Sequence, residues 1–347
     1  MTAAKQTSPE VLLGVDGGNT KADFFLFAAT GERLAHLRTG TCSHEALPGG
    51  YPAAALALHA GLTQVCAKAG ILPEQIGYAV FGLAGADTAA QHTALFAITE
   101  ALLPGKTRVC NDSMLGIRAG VPSGVGVCCI NGTGASVSGI DAAGHNLQVG
   151  GIGHISSDYA GGGFAASEVL RCVYSARYRD AAPTLLTQRV LSLLNAPPNA
   201  NLLELFHPDN LPAKKLECAL DRLLFQCAAA GDPCAQEILH TMARTLAQST
   251  AGCIKALDFE DAVAVVLAGS LWVKGGYPPM VQLYRAEVEN RVGRPCQFVL
   301  LQEPPALGAI LWAYEGLKKA PPPAALQQQF AAAVRCQETT PQESEGA

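Results

Sequence analysis

Charge is scarce in this chain. Only 15% of its 347 residues are Asp, Glu, Lys or Arg, against 49% hydrophobic. A disordered or solvating polypeptide needs the reverse balance, so the composition excludes that class and predicts well-filled cores. A basic excess is lacking too. Lys+Arg number 24 and Asp+Glu 29, a net charge of −5, so no global field would hold nucleic acid or an anionic membrane. Long apolar runs are missing. The longest, 262–273, covers about 12 residues, where a spanning helix needs about 20. The first ten residues are polar and lack the basic-then-apolar pattern of a secretory leader. The 12 cysteines include no Cys-x-x-Cys and no Cys/His group at zinc spacing. They read as small hydrophobes, Cys128 and Cys129 within a strand-like run, and the chain as a cytoplasmic protein with no nucleic-acid or membrane partner.

Glycine is abundant: there are 36, with 21 prolines, which suits an α/β protein of many tight turns. The length predicts roughly two domains. An apolar run over 11–15 stops at Asp16-Gly17-Gly18-Asn19-Thr20-Lys21, and two further strands follow over 22–27 and 33–39. The same strand–glycine turn–strand–turn–strand order restarts at 125–149, about 115 residues later, and suggests a duplicated unit. Helical spacing is predicted over 51–69, 88–103, 163–178, 214–230, 233–257, 278–292 and 306–318. Pro321-Pro322-Pro323 breaks the last of these, and the polar stretch 336–347 reads as a disordered tail.

Several strands end in glycine plus a small polar or acidic residue. These ends are Asp16-Gly17-Gly18, Gly85-Ala86-Asp87, Asn111-Asp112, Asn131-Gly132-Thr133-Gly134 and Gly269-Ser270. Ligands of open α/β sheets bind at the carboxyl ends of strands. Glycines there let backbone N–H groups approach a phosphate chain, and carboxylates suit Mg²⁺. Neither a Walker loop nor a dinucleotide fingerprint is present. Read singly, each turn could be structural. Asp87, for instance, could simply cap the helix that follows it.

Taken in order, these segments resemble the sugar-kinase, actin and heat-shock-protein superfamily. More closely they resemble the N-acetylglucosamine kinase branch of the BadF/BadG-type ATPases. The likeness also includes Gly150-Gly151-Ile152-Gly153-His154, Leu267-Ala268-Gly269-Ser270-Leu271-Trp272 and Pro305-Ala306-Leu307-Gly308-Ala309, and spans residues 11–312. The resemblance implies two ribonuclease H-like, actin-like ATPase domains around a nucleotide cleft. They would be an N-terminal one over 1–118, completed by the helix near 306–330, and a C-terminal one over 119–305. It implies ATP and Mg²⁺, with Gly17, Gly18, Asn19, Thr20, Lys21, Asn111, Gly132, Thr133, Gly134, Gly231, Gly269 and Ser270 toward the nucleotide. Asp16 and Asp112 would hold the metal.

A sugar is the implied acceptor, N-acetylglucosamine or a related amino sugar. Its pocket would be built from His44, Asp87, Ser113, Gly151, Ile152, Gly153 and Asp158, with Asp87 the proton acceptor and Asp112 its rival. The chain departs from the family pattern in reading Ser157-Asp158-Tyr159 where relatives often have Gly-Asp-Glu, and in placing His44 where they carry an asparagine. His154 reads as a structural turn residue. Two alternative readings fit the same segments: an activator ATPase of 2-hydroxyacyl-CoA dehydratases or benzoyl-CoA reductases, and a non-catalytic nucleotide or sugar sensor. Dimerisation is common in the resembled family, so the resemblance admits a homodimer, though no sequence feature here requires one.

Overall fold

The computed structural model describes residues 10–207, 213–260 and 262–335. The tail expected over 336–347 lies outside them. In chain order the first elements are β1 (Val11–Gly17), β2 (Lys21–Ala28), β3 (Arg33–Gly40), α1 (Gly50–Ala69), β4 (Ile76–Leu83), α2 (Ala89–Leu102), β5 (Thr107–Cys110) and α3 (Asp112–Gly120). Then come β6 (Gly126–Asn131), β7 (Ala135–Ile140), β8 (Asn146–Gly150), α4 (Gly162–Tyr178), α5 (Leu185–Leu193), α6 (Leu202–Leu205), α7 (Ala213–Ala229) and α8 (Pro233–Ala256). The chain ends with β9 (Val263–Ala268), α9 (Ser270–Val273), α10 (Pro278–Val292), β10 (Cys296–Leu300), α11 (Ala306–Lys318) and α12 (Ala324–Arg335). Among the described residues no helix is long and apolar enough to cross a membrane.

The chain divides into two units, one from residues up to 124 plus those from 302 onward, the other from 125–301. The division expected at 118/119 falls inside α3, a single helix packed on β4 and α11 of the first unit. Each unit holds one five-stranded sheet, ordered β3-β2-β1-β4-β5 and β10-β9-β6-β7-β8. In both, the first strand pairs antiparallel with the second and parallel with the fourth. The suspected repeat is therefore a repeat of topology.

In the first unit, Val11, Leu13 and Val15 alternate along β1 and pack with Phe24 and Leu26 against Leu58, Leu62 and Val65 of α1. The opposite face receives α11. A side chain at Gly14 would put its Cβ 2.7 Å from Ile310, so glycine is what lets α11 lie on the sheet. At Gly308 a Cβ would come within 2.1 Å of the Leu115 carbonyl oxygen, which brings α11 close to α3. The same two helices share an ion pair: Arg118, buried, donates through Nε and a terminal nitrogen to Glu315 Oε1 at 3.0 and 2.7 Å.

The second unit packs α8 and α10 together and lays α8 on β6, β7 and β8. Its core joins Val127, Val265 and Leu267 to Met242, Leu246 and Tyr284. The Tyr284 hydroxyl is satisfied by Thr250 Oγ1 at 2.7 Å. One feature corrects the sequence reading. Cys172 of α4 and Cys234 of α8 form a disulfide across 62 residues, although the cysteines read as unpaired hydrophobes. Cys128 and Cys129 are both fully buried in β6, consistent with that reading of them.

Candidate active site

The first unit's site begins where β1 ends. The Gly18 N–H donates to the Lys21 carbonyl at 3.0 Å, closing the turn between β1 and β2. Thr41 Oγ1 donates to the Gly18 carbonyl at 2.9 Å and ties the turn to the end of β3. Gly17 must be small, because a Cβ there would meet Cys42 Sγ at 2.7 Å. Asn19, Thr20 and Lys21 are exposed on this turn.

Sheet register sets a row of charges beneath the turn. Asp16 of β1 pairs with Asp23 of β2, and Asp23 with Arg38 of β3. Asp23 is buried and accepts from His36 Nε2 at 2.9 Å and from Arg38 Nε and a terminal nitrogen at 2.8 and 2.9 Å. The Lys21 ammonium stands 3.6 Å away. Burial pushes the Asp23 carboxyl up, but His36, Arg38 and Lys21 together outweigh it and hold it at about 2. Lys21 is thus partly committed to Asp23.

Asp16 and Asp112 behave in the opposite way. Burial first, then the charge of Asp112, pushes the Asp16 carboxyl up to about 7. Burial, with Asp87 as its largest charged neighbour, raises Asp112 to about 6. A Cβ on Gly18 would lie 3.9 Å from Asp112 Oδ2, so Asp112 borders the glycine turn. Asp112 therefore adjoins the turn, and Asn111, the residue before it, is bonded to Asp87.

Asp87 does not cap α2. Thr88 does: its side chain accepts from the Gln91 N–H, and Gln91 reaches back to the Thr88 N–H in a capping box. Asp87 Oδ1 instead accepts from Asn111 Nδ2 at 2.6 Å. Asn111 is the N-cap of α3, and Asp112 is that helix's first residue. Ser113 is buried, and its N–H (2.9 Å) and hydroxyl both donate to Asn111 Oδ1. His44 lies beside the Asp87 loop. Its ring stacks on Tyr51 at 4.1 Å, and a Cβ on Gly85, where φ is +80°, would sit 2.6 Å from His44 Cε1. His44 Nδ1 is buried and has no hydrogen-bond partner among the described residues.

In the second unit the ends of β6 and β9 meet. A Cβ on Gly269 would fall 2.5 Å from the Asn131 carbonyl oxygen, and one on Gly161 2.7 Å from the Gly134 carbonyl carbon. The Gly162 and Gly163 N–H groups donate to the carbonyls of Gly132 and Thr133 at 2.8 and 3.2 Å. The Gly132–Gly134 turn is thereby seated on the start of α4, close to Gly269 and Ser270. Gly231 makes the left-handed turn after α7, with its N–H on the Ala228 carbonyl. Asp158 organises the loop after β8. Its Oδ2 accepts from the N–H groups of Gly151 and Gly153, both at 2.8 Å, and from Ser156 Oγ at 2.6 Å. Ile152 is exposed on that loop, as is His154.

Sequence reasoning missed Asp23, His36, Arg38 and Tyr51. The one signal for Asp23 was a charge inside an otherwise apolar strand, Ala22-Asp23-Phe24-Phe25. Asp221 of α7 was also missed. Burial and then Glu217 push its carboxyl up to about 7, and its Oδ2 would stand 2.6 Å from a Cβ on Gly162.

Among the described residues no group of three or more His, Cys, Asp or Glu is arranged to hold a metal ion. The Asp16–Asp112 pair nonetheless fits Mg²⁺, which takes one or two carboxylates and completes its shell with waters and substrate phosphates. Burial and the charge of Asp112 raise the proton affinity of Asp16, and a cation beside it would relieve that.

The profile of the BadF/BadG/BcrA/BcrD ATPase family matches residues 13–313. The chain is 27% identical over 274 residues to the N-acetyl-D-glucosamine kinase of Dictyostelium discoideum, covering 76% of this chain and 85% of that one. Its fold is similar to a crystal structure from Chromobacterium violaceum described as a candidate N-acetylglucosamine kinase. That match has a TM-score of 0.62 and 21% identity, over 88% of this chain and all of the other. It is also similar to the ROK family glucokinase of Streptomyces griseus in complex with glucose and AMPPNP. Here the TM-score is 0.54 and identity 18%, over 94% and 99% of the two chains.

Proposed function

Because the chain belongs to the BadF/BadG/BcrA/BcrD ATPase family, we propose that it is an ATP-dependent sugar kinase acting on N-acetylglucosamine or a closely related amino sugar in the cytoplasm. The observation that carries this reading is a trio of first-unit carboxylates: Asp16 at the end of β1, Asp112 bordering the Gly17-Gly18 turn, and Asp87 bonded to Asn111 next to it. The likeness to the Dictyostelium enzyme supports the substrate class. Phosphoryl transfer asks a protein mainly for positioning and neutralisation of charge, plus one group that takes the hydroxyl proton. Asp16 would hold Mg²⁺ largely through waters, which leaves Asp112 to take the proton. When bound, that ion neutralises charge on the β- and γ-phosphoryl oxygens.

Asp112 is our choice of proton acceptor. It adjoins the turn that would face the phosphates, and Asn111 before it is bonded to Asp87, which would face the sugar. Its carboxyl, raised to about 6, keeps a high proton affinity while still largely ionised at neutral pH. Asp87, fixed by Asn111, would orient the sugar hydroxyl, with His44 beside it. In the second unit, Gly132, Thr133, Gly134, Gly231, Gly269 and Ser270 keep their proposed nucleotide roles. Gly151, Ile152, Gly153 and Asp158 keep theirs toward the sugar, Asp158 acting by shaping the loop.

The test is a coupled ADP-release assay on a panel of hexoses, amino sugars and N-acylated sugars. N-Acetylglucosamine or another amino sugar should give the highest kcat/KM. Asp112→Asn should lose about 10²- to 10⁴-fold in kcat while binding ATP normally, and Asp87→Asn should mainly raise the sugar KM. Near-normal turnover in Asp112→Asn would return the proton to Asp87. No sugar-dependent release on any substrate would remove the kinase reading.

A further inference from the structure

The resemblance places Asn111 among nucleotide contacts, but its hydrogen bonds lie elsewhere. The side chain is only 3% exposed. Its Oδ1 accepts from the Ser113 N–H and hydroxyl, and its Nδ2 donates to Asp87 Oδ1. The orientation of the amide is fixed by this network, since a flipped amide would turn its NH₂ against the Ser113 N–H. We infer that Asn111 is a positioning residue: one amide caps α3, which carries Asp112, and at the same time holds Asp87, so that the spacing of the two carboxylates is set by a single side chain.

The residue type supports this. Ser, Thr, Asp and Asn all cap helices well. Only Asn among them accepts from the helix and donates to a carboxylate through a fixed amide. Ser or Thr would keep the cap and lack the second arm. Asp would keep the cap and set a carboxylate against Asp87. A residue needed only to start α3 could be any of the four.

The inference rests on the sugar-kinase reading, and a double-mutant cycle of Asn111→Ser with Asp87→Ala tests it. Both variants and the double variant are assayed for sugar-dependent ADP release, with circular dichroism to verify folding. Asn111→Ser alone should lower kcat/KM for the sugar at least tenfold and leave the KM for ATP within about twofold. In the Asp87→Ala background, where the accepting oxygen is gone, the same substitution should cost less than threefold. Asn111→Asp, which preserves shape and cap, should lose at least as much activity as Asn111→Ser, and serves if the serine variant does not fold.

Equal losses in both backgrounds would overturn the inference. So would a tenfold rise in the KM for ATP with turnover preserved, which would make Asn111 a nucleotide contact. Wild-type protein that turns over no sugar would remove the parent reading, and this one with it. Wild-type turnover with an additive cycle would remove this one alone.

Discussion

Replacing Asp16 by asparagine should make the protein more stable and less useful. The folded structure raises the Asp16 carboxyl from its usual 3.8 to about 7, through burial first and the charge of Asp112 second. A rise of that size penalises the ionised form by roughly 4 kcal/mol at full weight. The carboxyl is only half-buried, so water screens part of the penalty, and about 2 kcal/mol is the expected gain in unfolding free energy. The sign follows from linkage. A carboxyl whose folded pKa is raised costs nothing below its unfolded value, costs more as pH rises between 3.8 and 7, and costs a constant amount above. Asp16→Asn should therefore match wild type near pH 4, gain progressively to pH 7 and hold its advantage beyond. Urea unfolding at several pH values in EDTA reads this directly. Added Mg²⁺ should stabilise wild type more than the variant, and phosphoryl transfer should fall in the variant. An advantage that is absent at pH 8, or equally large at pH 4, would show that Asp16 is not a strained charge and would undo the argument for a cation beside it.

Two further outcomes concern the frame that carries Asp112. Gly308→Val should lower stability by about 1–3 kcal/mol, read from the denaturation midpoint, because even a Cβ would meet the Leu115 carbonyl at 2.1 Å and push α11 off α3; an unchanged midpoint would mean the helices are free to separate. Glu315→Ala leaves the Arg118 guanidinium, 1% exposed, without its carboxylate, and should cost about 3 kcal/mol; a loss under 0.5 kcal/mol would show that water replaces Glu315.

Much of this architecture could be read before the structure because the backbone announces it. An apolar run ended by Asp16-Gly17-Gly18, and again by Asn131-Gly132, marks a strand and the turn that closes it, and the repeated order gave both sheets. Five helices among the described residues, α3, α5, α6, α9 and α12, were not anticipated, and two of them show why. α3 is only nine residues and includes Gly116, Gly120 and a buried arginine, which blurs its apolar face; its one clear signal was the cap at Asn111. α12 follows Pro321-Pro322-Pro323, read as a terminus, yet proline is compatible with a helix start, and Phe330 then packs edge-on to Phe27 at 5.3 Å. The Cys172–Cys234 disulfide joins positions 62 residues apart, and nothing local to either cysteine marks the other.

The site divides along the same physical line. Glycine chemistry is local: Gly17 and Gly269 matter because a Cβ has nowhere to go, and the motif already says so. Hydrogen-bond commitment is not local. The resemblance sets Asn111, Ser113 and Asp158 toward ligands, and the fold shows what they do bond. Asn111 holds Asp87 and the start of α3, Ser113 donates to Asn111, and Asp158 Oδ2 holds three donors of its own loop. A polar atom already paired inside the protein gains little by meeting a substrate, since it must first give up a partner. The proposed chemistry therefore falls to Asp16 and Asp112, whose carboxyls are pushed up by burial and by neighbouring acidic groups, so that a cation or a proton is welcome. The paired residues set where those two carboxylates stand.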